Sequence, residues 1–221
     1  MSALPPPSEK RASVQRMFDR IAPRYDVMNR LLTGGLDQSW RRRALAAAGV
    51  GAGDRLLDLA CGTGDLSELA VKRGATVIGA DFAREMLRGA RRRGIAAAFV
   101  QGDAEALPLP DASVDDVLCS LVLCTVDDQE AVLAEVRRIL RPGGRLRVVE
   151  HVAAPRWSLR RWLQHVIRRP WRWLFEGCDT CRDTASAIER AGFATVELHR
   201  GHWRHSIFLP VNTSIHAIAV N

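Results

Sequence analysis

At 221 residues the chain is sized for one domain with a substantial core and a helical appendage, not for two full domains. Its longest apolar runs fall far short of the roughly 18 residues of a membrane-spanning helix, and its proline-rich start, Met1 to Lys10, is unlike a secretory signal, so a cytoplasmic protein is expected. Five cysteines make no dense disulfide framework, and the net charge of +7, mostly arginine, suits acidic substrates, anionic lipid or nucleic acid as well as an ordinary solvated surface.

Residues 1–8 are expected to be a disordered tail. From Glu9 to Val50, arginine-rich helical patterns broken at Pro23 and at Gly34-Gly35 predict a helical cap over 9–50. One domain over 51–221 should follow, because strands and helices then alternate: strand 55–60, helix 64–73, strand 76–80, helix 82–93, strand 97–101, strand 114–121, helix 128–140 and strand 145–151. Such alternation argues for a parallel α/β sheet covered on both faces. In the helix at 128–140, Val132, Leu133, Val136, Ile139 and Leu140 share one stripe, and Arg141-Pro142-Gly143-Gly144 stops it. Residues 153–180 read as an insertion covering the substrate. Ala194–Leu198 and Ser214–Val220 alternate in strand fashion and predict an antiparallel pair at one side of the sheet.

The run Leu56-Leu57-Asp58-Leu59-Ala60-Cys61-Gly62-Thr63-Gly64-Asp65 is an apolar strand that ends in a small-residue turn and opens a helix. Gly62 and Gly64 are expected to let the backbone approach a ligand, with Ala60 where a dinucleotide fingerprint has its first glycine. The next strands end at Asp81, followed by Phe82, and at Gly102-Asp103-Ala104, which places three acids at one crevice. A nicotinamide dinucleotide fits such a turn poorly here, because Asp65 would stand beside its pyrophosphate. S-adenosylmethionine carries no phosphate, and its sulfonium and amino groups suit Asp58 and Asp65. Asp81 can accept from both ribose hydroxyls and Asp103 from the adenine amino group.

On these residues, Leu56 to Val149 resembles the class I S-adenosylmethionine-dependent methyltransferases, which implies a Rossmann-like seven-stranded sheet with an antiparallel last strand. Met17-Phe18-Asp19-Arg20-Ile21-Ala22-Pro23-Arg24-Tyr25-Asp26-Val27-Met28-Asn29 and Trp40-Arg41-Arg42-Arg43 resemble the cap of the ubiquinone/menaquinone biosynthesis C-methyltransferases. That resemblance implies cofactor contacts from Thr63, Asp81, Asp103, Ala104 and Ser120, with Tyr25 closing the cap over the donor. On the acceptor side, Ser120-Leu121-Val122-Leu123-Cys124, Glu150-His151-Val152, Trp171 to Cys178 and Arg182-Asp183-Thr184 are instead similar to methyltransferase-like proteins that S-methylate small thiols. The implied reaction is methyl transfer to a small, largely apolar acceptor. Thiol sulfur leads narrowly, with the ring carbon of a quinone precursor and a phospholipid nitrogen as alternatives.

Either a thiol or a phenolic acceptor must lose a proton, and His151 is the expected base, although a histidine hydrogen-bonded at a strand end would look the same. Cys124, Trp171 and Cys178 are the expected substrate contacts. Cys178-Asp179-Thr180-Cys181 with His202 and His205 has near-zinc spacing, but two residues between the histidines is too short for a zinc finger, so no metal is expected. Over 155–175, Leu159, Trp162, Leu163, Val166 and Ile167 recur at helix spacing opposite a basic face. This stripe either roofs the substrate pocket or meets an anionic membrane. The tryptophans form no evident stacking platform, so nucleic acid is not an expected partner.

Overall fold

In the computed structural model the described residues are 7–33, 35–47, 49–174, 178–202 and 212–221. The tail expected over 1–8 falls mostly outside them, and helix α1 (Pro7–Ile21) already includes its last two residues. A short 3-10 turn (Ala22–Arg24) absorbs Pro23 at its first positions, and α2 (Tyr25–Thr33) and α3 (Leu36–Ala47) complete the cap.

The sheet strands are β1 (Arg55–Leu59), β2 (Thr76–Asp81), β3 (Ala98–Gln101), β4 (Val114–Ser120), β5 (Leu140–His151), β6 (Thr195–His202) and β7 (Thr213–Val220). Their spatial order is β3-β2-β1-β4-β5-β7-β6, parallel throughout except that β7 runs antiparallel to both β5 and β6. The expected fold class is therefore the observed one, including the antiparallel pair at the sheet edge. Arg141 to Gly144 differs from expectation. Leu140 already pairs with Val114, the register then slips, and Arg145 pairs with Asp116, so the turn signal marks a bulge inside β5, with Gly143 at a φ of 76°.

Alternation along the buried strands sends side chains to two cores. Leu56, Val77 and Leu118 pack with Leu45 of α3 and with Leu66 and Ala70 of α4 (Asp65–Val71). Leu57, Val117 and Leu146 pack on the other face with Val132, Leu133 and Val136 of α6 (Gln129–Ile139) and Ile188 of α8 (Thr184–Arg190). Between them on the chain lie α5 (Arg84–Arg92) and α7 (Leu159–Leu174). Helix α8 is not among the elements predicted from the sequence; it is only seven residues long and is capped by Asp183 accepting from the Ser186 N–H.

Candidate active site at the strand ends

The carboxyl ends of β1, β2, β3 and β4 open into a cleft of about 450 Å³, within the usual range for small-molecule sites. Among the expected cofactor residues, Tyr25, Asp58, Ala60, Gly62, Thr63, Asp81, Phe82, Asp103, Ala104 and Ser120 all line it. The backbone is strained where it turns into the cleft: Ala60 (φ 55°) and Leu121 (φ 59°) both hold left-handed conformations that favour glycine.

Gly64 is the exception. It is not on the cleft lining, and a Cβ there would come within 2.8 Å of Ile95 Cδ1 and 3.2 Å of Ala90 Cβ, so this glycine lets α4 pack closely on neighbouring protein. Asp65, by contrast, does line the cleft. Burial alone would raise its pKa, but Arg93, Arg41 and a 2.8 Å hydrogen bond from Gln38 Nε2 together hold it below the usual carboxylate value. Its charge is thus matched inside the protein.

Asp81 and Asp58 carry the chemistry suited to a cationic adenosyl donor. Asp81 Oδ2 accepts the Gly62 N–H at 2.8 Å and Oδ1 accepts the Ala83 N–H at 2.8 Å, leaving each oxygen a further lone pair for a hydroxyl donor. Burial pushes Asp81 up to about 6 and Asp58 up to about 7, the latter despite a 2.6 Å hydrogen bond from Ser67 Oγ. A bound cation offsets that cost by favouring the ionised forms. Asp103 meets Arg11 of α1 at 2.8 Å, and Thr63 Oγ1 donates to Asp26 Oδ1 at 2.6 Å, so the cap is tied to the strand ends on both sides. Phe18 stands edge-on to Tyr25 and to Phe82, with ring centroids 6.2 and 6.3 Å away, and supplies an apolar closure.

The expected base and substrate residues lie elsewhere. His151, Cys124, Trp171 and Cys178 do not line the cleft but meet one another beside it: His151 Nε2 is 3.1 Å from Cys178 Sγ, which lies 3.8 Å from Cys124 Sγ and 3.4 Å from Trp171 Nε1. Burial lowers the His151 pKa, but the Cys178 contact and the charges of Glu150 and Asp179 together raise it above the ordinary value. Of the residues with near-zinc spacing, Cys181 Sγ faces His165 and His202 faces Arg160, while His205 lies outside the described residues.

None of the described residues of the 153–180 insertion lines the cleft. Helix α7 turns a polar position inward, because fully buried Gln164 accepts from the Ala154 N–H and donates to the Val152 carbonyl, while Arg168 pairs with Asp179. Much of its apolar stripe consequently faces solvent, with Leu159, Trp162 and Val166 exposed and Leu163 and Ile167 half-buried; Trp173 near its end is exposed as well.

One group on the cleft wall, His216, and one buried behind it, Glu150, were not among the expected site residues. His216 of β7 stands opposite Val149 of β5, and burial followed by the charge of His199 lowers its pKa. Its only local signal is an ordinary strand alternation. Glu150, wholly buried, accepts the N–H groups of Val122 and Leu123 (2.8 Å) and so shapes the wall after β4.

The fold and the strand-end acids are those of the class I methyltransferases, whose methyl donor is S-adenosylmethionine. More narrowly, the chain belongs to the ubiE/COQ5 methyltransferase family, whose sequence model matches residues 7–167. It is 49% identical over 146 residues to a demethylmenaquinone methyltransferase of Thermus thermophilus, covering 63% of this chain and 66% of that protein. Identity is 45% over 140 residues to the ubiquinone/menaquinone biosynthesis C-methyltransferase UbiE of Desulfotalea psychrophila, covering 62% and 57%. The match thus spans less than two thirds of these relatives' length. Among solved structures, an S-adenosylmethionine-dependent methyltransferase of Mesorhizobium loti is 26% identical with a TM-score of 0.66, covering 85% of this chain and all of that one. The cyclase SpnF reaches a TM-score of 0.73 at 19% identity over 94% of both chains, a likeness of fold alone. No described helix is long and apolar enough to cross a membrane.

Proposed function

We propose that the protein is an S-adenosylmethionine-dependent C-methyltransferase acting on the ring carbon of a demethylmenaquinone-like quinol. The observation that carries this reading is the family match over 7–167, which includes the cap as well as the donor-binding strands. It shifts the preference away from a thiol acceptor, which rested on motifs in the acceptor half. A thiol acceptor stays as the second reading, because the family match stops inside α7, before Trp171 and Cys178.

Asp58 and Asp81 would hold the donor, Thr63 and Tyr25 would close over it, and the bound donor supplies a methyl group on a positively charged sulfur. Transfer to a ring carbon forms a carbon–carbon bond as the sulfur–methyl bond breaks, the hydrogen of that carbon then passes as a proton to the ring oxygen as aromaticity is restored, and a hydroxyl proton must first leave to activate the ring. His216, on the wall with a lowered pKa, is neutral near pH 7 and suited to take that proton. The apolar cleft wall, including Val122, Val126 and Val149, excludes water and orients a flat ring.

A quinol acceptor with an isoprenoid tail resides in lipid, and the stripe on α7 supports access to it. Trp157 (98% exposed), Leu159, Trp162, Val166 and Trp173 (79% exposed) are flanked by Arg156, Arg160 and Arg169, a surface complementary to an anionic bilayer.

Turnover with a methyl-deuterated donor tests the reading. A demethylmenaquinol analogue should gain the label on carbon, whereas labelling of small thiols or phosphatidylethanolamine in its place would replace this assignment.

A further inference from the structure

Outside the cleft, the molecule gathers three soft ligands that the reaction does not use. Cys124 follows β4, His151 ends β5 and Cys178 follows α7, yet their ligand atoms all lie within 4.8 Å of one another. Cys124 and His151 are buried and Cys178 is half-buried.

The sulfur–sulfur spacing is that of a metal polyhedron, and the sulfur–nitrogen spacing is a few tenths of an ångström shorter than in one. Two sulfurs bound at about 2.3 Å to one tetrahedral zinc stand about 3.8 Å apart, and a sulfur and an imidazole nitrogen about 3.5 Å apart. The observed separations are 3.8 Å for Cys124 Sγ to Cys178 Sγ and 3.1 Å for Cys178 Sγ to His151 Nε2. Of the two ring nitrogens of His151, Nε2 is the one that faces the sulfurs, while Nδ1 is buried without a hydrogen-bond partner. Trp171 Nε1 donates toward Cys178 Sγ at 3.4 Å, a contact that supports a thiolate. Charge also balances: a divalent ion with two thiolates and a neutral imidazole is neutral overall, as burial requires. The adjacent Asp179 is already paired with Arg168 and does not enter the set.

We propose that Cys124, His151 and Cys178 bind one zinc ion, with a fourth position left to water or another exogenous ligand. The ion acts as a clasp. It joins the segment after β4, whose Leu121, Val122 and Thr125 line the cleft, to the 178–182 segment, where Asp179 N–H already donates to the Cys124 carbonyl at 3.0 Å. Zinc would thereby fix the cleft wall from behind without entering the reaction. Both thiols release their protons on binding.

The test uses the reduced full-length protein, stripped with chelator and titrated with cobalt(II), then displaced with zinc. Wild type should take up one ion per chain with thiolate-to-cobalt charge-transfer absorption, and zinc should raise its Tm. Cys124→Ser and Cys178→Ser should each weaken binding at least 100-fold, while Cys181→Ser binds like wild type. Absence of the charge-transfer band in wild type overturns the proposal, as does loss of binding in Cys181→Ser or its retention in Cys178→Ser. The wild-type spectrum decides the question even if a variant fails to fold.

Discussion

Glu150 Oε1 accepts the backbone N–H of Leu123 at 2.8 Å, and also that of Val122, so one buried carboxylate at the end of β5 holds the turn that leaves β4. That turn cannot satisfy itself, because Leu121 just before it lies in the left-handed region. Burial pushes the Glu150 pKa up, in keeping with a group placed for its acceptor oxygens.

Glu150→Ala should therefore destabilise the protein by about 2–4 kcal/mol, the cost of two buried donors left unmet. Glu150→Gln keeps one acceptor and should lose less than half as much. Thermal unfolding of both variants checks this; equal losses would show that the hydrogen bonds are not what matters.

Donor affinity should depend on pH through Asp58 and Asp81. Their folded pKa values of about 7 and about 6 lie above the ordinary aspartate value, so the free folded protein retains protons that the unfolded chain has lost. Their contribution to stability falls as pH rises from about 4 to about 7 and is level above that. A cationic donor prefers the ionised acids, so its affinity should rise over about pH 5.5 to 8 and then level off. Asp58→Asn should flatten the profile and weaken binding about tenfold at pH 8. Calorimetry at several pH values provides the measurement, and a pH-independent affinity in wild type would contradict the assignment.

The donor half of the site was legible because it rests on local pattern. A buried strand with an acid at or beside its end, as at Asp58, Asp81 and Asp103, announces both its face and its end, and parallel order brings those ends together. The packing role of Gly64 is not legible locally, because a packing glycine and a ligand-facing glycine look alike until Ile95 and Ala90 are in place. The acceptor half depends on long-range pairing: His216 reaches the wall only through the antiparallel register of β7 with β5. Helix α7 misled for a different reason. Its periodicity gave the correct apolar stripe, but Gln164, the residue that satisfies the backbone at Val152 and Ala154, decided which side faces inward.

His216→Asn should lower kcat by about 100-fold with donor affinity unchanged, as expected for loss of a positioned proton acceptor. Because the His216 pKa is lowered, wild-type kcat should already be at its plateau near pH 7 and fall only below the ordinary histidine range. A variant with full kcat and the same acid limb would remove His216 from the mechanism.

The exposed face of α7 should bind anionic vesicles. Co-sedimentation with phosphatidylglycerol-containing vesicles should drop about tenfold or more in a Trp162→Ser/Trp173→Ser double variant, since each buried tryptophan contributes on the order of 1–2 kcal/mol. Raised salt should weaken wild-type binding through the flanking arginines. Equal sedimentation of wild type and double variant would dismiss this surface as a membrane contact.

The most direct test of the account is calorimetric titration of S-adenosylmethionine into wild type and Asp81→Asn. The carboxylate that bridges Gly62 and Ala83 is predicted to grip the donor, so wild type should bind one equivalent and Asp81→Asn should bind about 10- to 100-fold more weakly with its fold intact. No heat of binding with wild type, or equal affinity in the two proteins, would contradict it.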